Sequence, residues 1–218
     1  MTMDKIAAII PAFNEAERIG EVLKAIVKSD IVDEVIVVDD GSIDDTESIV
    51  RGFEQVKYLR NNQNIGKAGS MAEGVNATDA DIIFFCDADL IGINEEIIRK
   101  IIEPVKKGDY AMFIGLRSNF MQKGVHLFAI NSGERAIRRV VWEKLPPYFK
   151  YKYRIEAGLN YYVQRYFGGF GYQRFDYSQP TKERKYGFIK GTVLRWGMNL
   201  DVSLAYLRDF IDRLFHVR

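Results

Sequence analysis

Short unbroken apolar runs alternate, through the first half of the chain, with stretches in which apolar residues return every three or four positions. An unbroken run bounded by turn residues is what a strand buried on both faces requires, and the wider spacing marks a helix with one buried face. The runs predict strands at 6–10, 34–38, 56–59, 82–86 and 111–114, and the spaced stretches predict helices over 15–28, 45–53, 69–77 and 94–107. Such alternation is the signature of an α/β fold, a Rossmann-like, mostly parallel sheet with helices on both faces. In a sheet of this kind ligands bind beyond the carboxyl ends of the strands, so the residues there carry the functional argument.

Those ends are acidic. The first run leads into "PAFNEAERIG", where Pro11 stops the ladder and Asn14 or Glu15 opens the next helix. The second leads into "VVDDGSIDDT" and the fourth into "CDADL", so Glu15, Asp39, Asp40, Asp87 and Asp89 gather at one edge. In Asp87-Ala88-Asp89 the two acids share one side of extended backbone, because side chains alternate with period two. Carboxylates so placed either accept hydrogen bonds from a ribose and hold a divalent cation, or act as turn and cap residues before the helix at Asn94.

Four segments, "IIPAFNEAERIGEVL", "VIVVDDGSIDDT", "NIGKAGSMAEG" and "DADL", resemble in order and spacing the family 2 glycosyltransferases of GT-A fold, over essentially all of residues 5–116. The resemblance implies a nucleotide-sugar donor, UDP- or GDP-linked. It places Pro11, Ala12, Phe13, Glu15 and Asp40 around the base, Lys67 near the diphosphate, Asp87 at the ribose and Asp89 on Mg²⁺ or Mn²⁺. One departure is Ala68, where many members have a glycine directly after the lysine. Glu15 also suits the first turn of a helix through the macrodipole, whatever its ligand role.

Charge divides the chain. Residues 1–116 carry 12 Lys/Arg against 22 Asp/Glu, a net of −10, and residues 117–218 carry 19 against 8, a net of +11. This suggests two halves facing different partners, the basic one suiting an anionic partner or simply a solvated surface. With the resemblance it implies a nucleotide-sugar-binding half, 1–116, and an acceptor-binding half, 117–218, of the same GT-A domain.

In the second half "INSGERAIRRVVWEKLP" resembles the segment of polyprenyl-phosphate glycosyltransferases and glucosyl-3-phosphoglycerate synthases that opens a helix beside the donor phosphates. Glu134 there matches a position that completes the metal's oxygen shell. Arg135, Arg138 and Arg139 lie at helical spacing and form either a phosphate-binding cluster or a solvated basic face. "YRIEAGLNYYV" resembles the segment that places an acid near the acceptor, here Glu156. A hydroxyl acceptor needs such a base and a phosphate acceptor does not. Asp89, Glu156 and Arg135 are thus the candidate catalytic residues. "YSQPTKERKYGFIKG" resembles, with Ile189 in place of a serine, a basic region of polyprenyl-phosphate sugar transferases, making Arg184 and Lys190 candidate acceptor-phosphate ligands beside Arg135, Arg138 and Arg139.

Trp142, Tyr148, Phe149, Tyr151 and Tyr153 interleave with Lys144, Lys150, Lys152 and Arg154, which suits either a membrane interface or a core. Leu200, Leu204, Leu207, Ile211 and Leu214 recur at helical spacing with a mixed polar face, which favours docking on protein over lipid. No apolar run approaches the ~20 residues that span a bilayer, and Cys86 is the single cysteine, so a reducing, cytoplasmic setting with peripheral membrane contact at most is expected. No nucleic-acid reader motif, zinc spacing or Walker loop is present, and neither His126 nor His216 has ligand spacing. The reading is a metal-dependent glycosyltransferase acting on a phosphorylated acceptor, polyprenyl phosphate at the cytoplasmic membrane face. The alternatives are a soluble acceptor, phosphoglycerate-like or a glycan hydroxyl, and a non-catalytic nucleotide-binding scaffold.

Overall fold

The strand Ile6–Ala12 (β1) is an interior strand of the sheet, and its near-complete burial explains the unbroken apolar run that encodes it. The computed structural model describes residues 4–117, 134–180, 196–197, 202–204 and 207. Arg184, Lys190 and most of the amphipathic C-terminal pattern lie outside them.

From β1 the chain runs through α1 (Ile19–Val27), β2 (Glu34–Asp39), α2 (Thr46–Arg51), β3 (Val56–Arg60), α3 (Lys67–Asn76), β4 (Ile82–Phe85), α4 (Glu95–Lys106) and β5 (Met112–Arg117). After residues 118–133 come β6 (Arg135–Arg138), α5 (Arg139–Lys144), a 3₁₀ turn (Pro147–Phe149), α6 (Arg154–Tyr166) and β7 (Gly171–Phe175). The seven strands lie in the order β3-β2-β1-β4-β6-β5-β7. All neighbours are parallel except those of β6, which runs antiparallel to both β4 and β5.

The two sheet faces bury separate cores. Ile6, Ala8 and Ile10 face α1, α2 and α4, while Ala7 and Ile9 face α3, α5 and α6. This is the α/β sheet covered on both faces that the periodicity predicts, and all five predicted strands and four predicted helices are present. Asn94 caps α4 by accepting from the backbone N–H of Ile97 at 3.0 Å.

Three differences matter. The first helix begins at Ile19, not at Asn14 or Glu15, because Asn14 adopts a left-handed φ of 55° and residues 15–18 form a turn. The fourth strand ends at Phe85, so Asp87 and Asp89 stand in the turn beyond it. Finally, Arg135–Arg138 is a strand, so the helical face expected to gather Arg135, Arg138 and Arg139 does not form. Tertiary pairing wins there over local spacing: β6 fills the gap between β4 and β5, where each of its residues gains ladder partners.

Candidate active site

The site is built where β1, β2 and β4 end. Behind β2, Asp39 accepts from Ser42 N at 2.7 Å and Asp40 accepts from Ile65 N at 2.9 Å, Gly66 N at 2.8 Å and Asn61 Nδ2 at 2.9 Å. Gly41 makes this turn with a φ of 81°, and an added Cβ would lie 3.3 Å from the Gln63 backbone, so both conformation and space call for glycine. Asp40 therefore fixes the loop that delivers Lys67 at the start of α3. The other oxygen of Asp39 accepts from Tyr58 and from Arg60 at 3.1 Å; burial, then this hydrogen bond, pushes the Tyr58 phenol up to about 12.

The end of β1 is laced to the same turn. Asn14 N donates to Ser42 Oγ at 2.9 Å, Ile43 N donates to Asn14 Oδ1 at 2.9 Å, and Glu15 N donates to Thr46 Oγ1 at 2.9 Å. Glu15 is buried with Arg18 3.8 Å away, Ala12 is buried, and Pro11 and Phe13 are half-buried beside it. The candidate base-binding residues thus form one connected rim across β1 and β2.

Lys67 lies at the centre of charge. Its ammonium is 2.7 Å from Asp87 Oδ1 and 2.9 Å from Glu156 Oε1. Burial alone would lower the Lys67 pKa, but these two carboxylates outweigh it and raise the value. Burial likewise works against ionised Asp87, and Lys67, then Arg117, overcome it and hold Asp87 below the usual carboxylate range. Glu156 reaches Lys67 because α6 packs closely on the 3₁₀ turn: a Cβ on Gly158 would come within 2.4 Å of Phe149.

Beside them Gln179 Nε2 donates to Asp87 Oδ2 at 3.2 Å and to Asp89 Oδ1, so the two acids of Asp87-Ala88-Asp89 do converge on one point. Gln179 Oε1 accepts from Arg117, whose Nε is 3.9 Å from the fully buried Glu134. Tyr177 Oη lies 2.8 Å from Glu134 Oε2 and 2.7 Å from Gly115 O. Glu134, expected on the metal, is held by Tyr177 and Arg117, one layer behind the Asp87-Asp89 pair.

The arginines disperse. Arg135 is fully buried and donates to Glu156 O at 3.2 Å and Asn160 Oδ1 at 3.0 Å, supporting α6 from beneath. Arg138 pairs with Asp4 at 2.7 Å, and Arg139 donates to Thr78 O at 2.9 Å and Val75 O at 3.3 Å, closing the carboxyl end of α3. In the register, Arg135 faces Phe85 and Arg138 faces Ile82, so Arg138 and Arg139 stand at the opposite edge of the sheet from Asp87 and Asp89. Of the interleaved aromatics, Trp142 and Phe149 are core, while Tyr148 and Tyr151 are exposed with the Arg154 guanidinium 4.8 Å and 5.1 Å from their ring centres.

A divalent cation fits the front of this arrangement. Among the described residues no group of three or more His, Cys, Asp or Glu side chains forms a closed metal cage. Two adjacent carboxylates are nevertheless the donor set of a cation that keeps waters and takes phosphate oxygens, as Mg²⁺ does. Ionised Asp87 and the convergence of both acids on one donor meet that need.

The sequence profile of Glycosyl transferase family 2 matches residues 7–185. The chain belongs to that family. Among relatives in family 2, the chain is 36% identical over 114 residues to 4,4'-diaponeurosporenoate glycosyltransferase of Staphylococcus haemolyticus, covering 50% of this chain and 30% of that protein. It is 29% identical over 128 residues to undecaprenyl-phosphate 4-deoxy-4-formamido-L-arabinose transferase of Sodalis glossinidius, covering 55% of this chain and 39% of the relative. It is 30% identical over 136 residues to glucosyl-3-phosphoglycerate synthase of Mycobacterium tuberculosis, covering 59% and 41%. The chain spans less than half the length of these curated relatives. A crystal structure of the mycobacterial synthase with Mn²⁺, uridine diphosphate and phosphoglyceric acid superposes with a TM-score of 0.81 at 22% identity, over 94% of this chain and 78% of the other. The GT-A fold expected from the motifs is therefore the fold observed.

Gln179, Arg117, Tyr177 and Asn160 were not among the residues singled out in the sequence. Asn160, Tyr177 and Gln179 lie within segments quoted for Glu156, Arg184 and Lys190, and Arg117 lies in none; only the pairing of residues distant in the chain brings them to Asp89, Glu134 and Arg135.

Proposed function

We propose that this chain transfers a sugar from a nucleoside-diphosphate sugar to a phosphorylated acceptor, with Mg²⁺ or Mn²⁺ bound at Asp89 and Asp87. The observation that carries the reading is the convergence of Asp87, Asp89, Lys67 and Glu156, from three separate elements, beyond the carboxyl end of β4. Membership of family 2 supports it.

In this reading Asp89 and Asp87 hold the cation, and the rim of Pro11, Ala12, Phe13, Glu15 and Asp40 receives the base and ribose. The bound cation supplies Lewis-acid neutralisation of the charge that develops on the departing diphosphate. Lys67 pairs with Asp87 and Glu156, holds Asp87 ionised and places a positive charge beside the same leaving group. Glu156, fixed through its own carbonyl by Arg135, faces the acceptor side. It takes a proton if the acceptor is a hydroxyl; a phosphate acceptor is already ionised and needs no base, and Glu156 then orients a cationic side chain or caps structure. Arg135, Arg138 and Arg139 act in this account through structure, and acceptor phosphate binding is assigned to Arg184 and Lys190.

For the acceptor, polyprenyl phosphate at the cytoplasmic membrane face is favoured by the likeness to the undecaprenyl-phosphate transferase and by exposed Tyr148 and Tyr151 beside basic residues. Among the described residues no helix is long and apolar enough to cross a membrane, so the contact proposed is peripheral. A soluble phosphorylated acceptor is the second reading, favoured by burial of Trp142 and Phe149 and by the likeness to the phosphoglycerate enzyme. Release of UDP or GDP, measured with UDP- and GDP-sugars plus either a short polyprenyl phosphate or 3-phosphoglycerate, decides between them. Stimulation by the lipid alone supports the first reading and by phosphoglycerate alone the second; stimulation by neither overturns the phosphorylated-acceptor proposal.

A further inference from the structure

Gln179 is held beside Asp87 and Asp89 from two directions. Its neighbour Ser178 forms an antiparallel bridge with Ile91, with reciprocal backbone hydrogen bonds of 2.8 Å and 2.9 Å, which fixes the Gln179 backbone next to the Asp87-Ala88-Asp89 turn. At the other end of the side chain the amide oxygen accepts from Arg117, itself anchored by buried Glu134. A guanidinium has only donors, so turning the amide over would set N–H against N–H; Arg117 therefore dictates which face of Gln179 meets the aspartates.

That face is the NH₂ group. It has two protons and no available lone pair, and it points one proton at each carboxylate, at 3.2 Å for Asp87 Oδ2 and at close range for Asp89 Oδ1. A cation bound between the same oxygens would need the place that the amide nitrogen and its protons fill. The amide nitrogen cannot become a ligand, and in this orientation the amide oxygen faces away.

We propose that Gln179 is a placeholder for the divalent cation: its amide closes the Asp87-Asp89 pair while no cation is bound and is displaced when one arrives. This rests on the reading that these carboxylates take a cation. Two adjacent carboxylates at the end of a buried strand repel each other, and the amide protons relieve that repulsion without a full charge. Loading then requires two charge-assisted hydrogen bonds to be given up, so a bare cation binds less tightly than the carboxylates alone would allow. A cation arriving with a donor diphosphate brings extra phosphate-oxygen contacts and overcomes the amide more readily, which favours loading both together.

The test is Mn²⁺ binding by the full chain, without donor or acceptor, followed by electron paramagnetic resonance of free Mn²⁺ and by calorimetry. Gln179→Ala, and Gln179→Met, which keeps the stem that packs in the site, are compared with wild type and with Asp89→Ala; melting temperatures establish that each is folded. The placeholder role predicts about three- to tenfold tighter Mn²⁺ binding in both Gln179 variants, from the loss of two competing charge-assisted hydrogen bonds. Weaker binding would make Gln179 a ligand, and unchanged binding would make it a bystander; either overturns the proposal. If Asp89→Ala bound Mn²⁺ as wild type does, the cation reading of the site would fall, a failure distinct from that of the placeholder.

Discussion

Lys67 and Glu156 meet at 2.9 Å although one opens α3 in the acidic first half of the chain and the other lies in the first turn of α6 in the basic second half. With Asp87 at 2.7 Å from the same ammonium, this contact joins the acidic strand end to α6 through the Lys67 ammonium. The division of charge along the sequence is bridged at this point.

Lys67→Met leaves Asp87 and Glu156 facing each other with their shared cation gone, and should cost about 2 kcal/mol of stability at neutral pH and most of the activity. The sign of the pH dependence follows from both shifts. Lys67's pKa is raised, so its contribution is complete below the unfolded value of about 10.4 and fades as pH rises through the folded one. Asp87's is lowered, so its contribution is complete above about 3.9 and fades as pH falls through the folded value. Urea unfolding of wild type and variant should therefore give a difference that is flat from about pH 5 to 10 and shrinks towards pH 3. A difference that grew on acidification would argue against the ion triad.

Arg135→Leu removes a fully buried guanidinium that donates to Glu156 O and Asn160 Oδ1. The expected loss is about 2–4 kcal/mol in thermal or urea unfolding, since Asn160 and the Glu156 carbonyl each lose a buried charge-assisted hydrogen bond. Arg138→Ala and Arg139→Ala, at the opposite sheet edge, should cost about 1 kcal/mol or less each and leave KM for a phosphorylated acceptor unchanged, as their partners are partly solvated. A large KM increase in either would restore the phosphate cluster that the arginine spacing suggests.

Gly41→Ala meets both a φ of 81° and backbone at 3.3 Å. A loss of about 1–2 kcal/mol is expected, with a weaker grip of Asp40 on the loop before Lys67. Differential scanning calorimetry checks the first and nucleotide affinity the second.

Cys86 is buried at the end of β4, and burial, then the nearby carboxylates led by Glu134, push its thiol well above the ordinary range. It should resist a thiol reagent at about pH 8 in the native protein and react at once in about 6 M guanidinium. Fast native labelling would mean that the strand end opens readily.

The parts of the fold that were legible in the sequence are those whose signal is local. Continuous apolar runs encode β1, β2 and β4, because strands buried on both faces need no alternation. Gly41 and the acids around it announce their turn through chemistry that few other residues supply. What stayed hidden depends on pairing between distant residues. The strand Gly171–Phe175 exposes its three central residues and reads as loop, and Arg135–Arg138 has arginines at both ends that fit a helix as well as a strand. Gln179, quoted only as part of a basic segment, and Arg117 did not announce a place beside the acids, since an amide and an arginine far apart in sequence become site residues only through the Ile91–Ser178 bridge and the end of β5.

The central claim is that Asp89, backed by Lys67, makes this a cation-dependent sugar-nucleotide transferase site, and the most direct measurement is nucleoside diphosphate release by the full chain across UDP- and GDP-sugars with Mn²⁺, Mg²⁺ or excess chelator. The account predicts release that needs a divalent cation and falls by at least about a hundredfold in Asp89→Ala, the size of effect seen when one electrostatic stabiliser of a transition state is removed. Release that persists in chelator, or in folded Asp89→Ala at the wild-type rate, would contradict it.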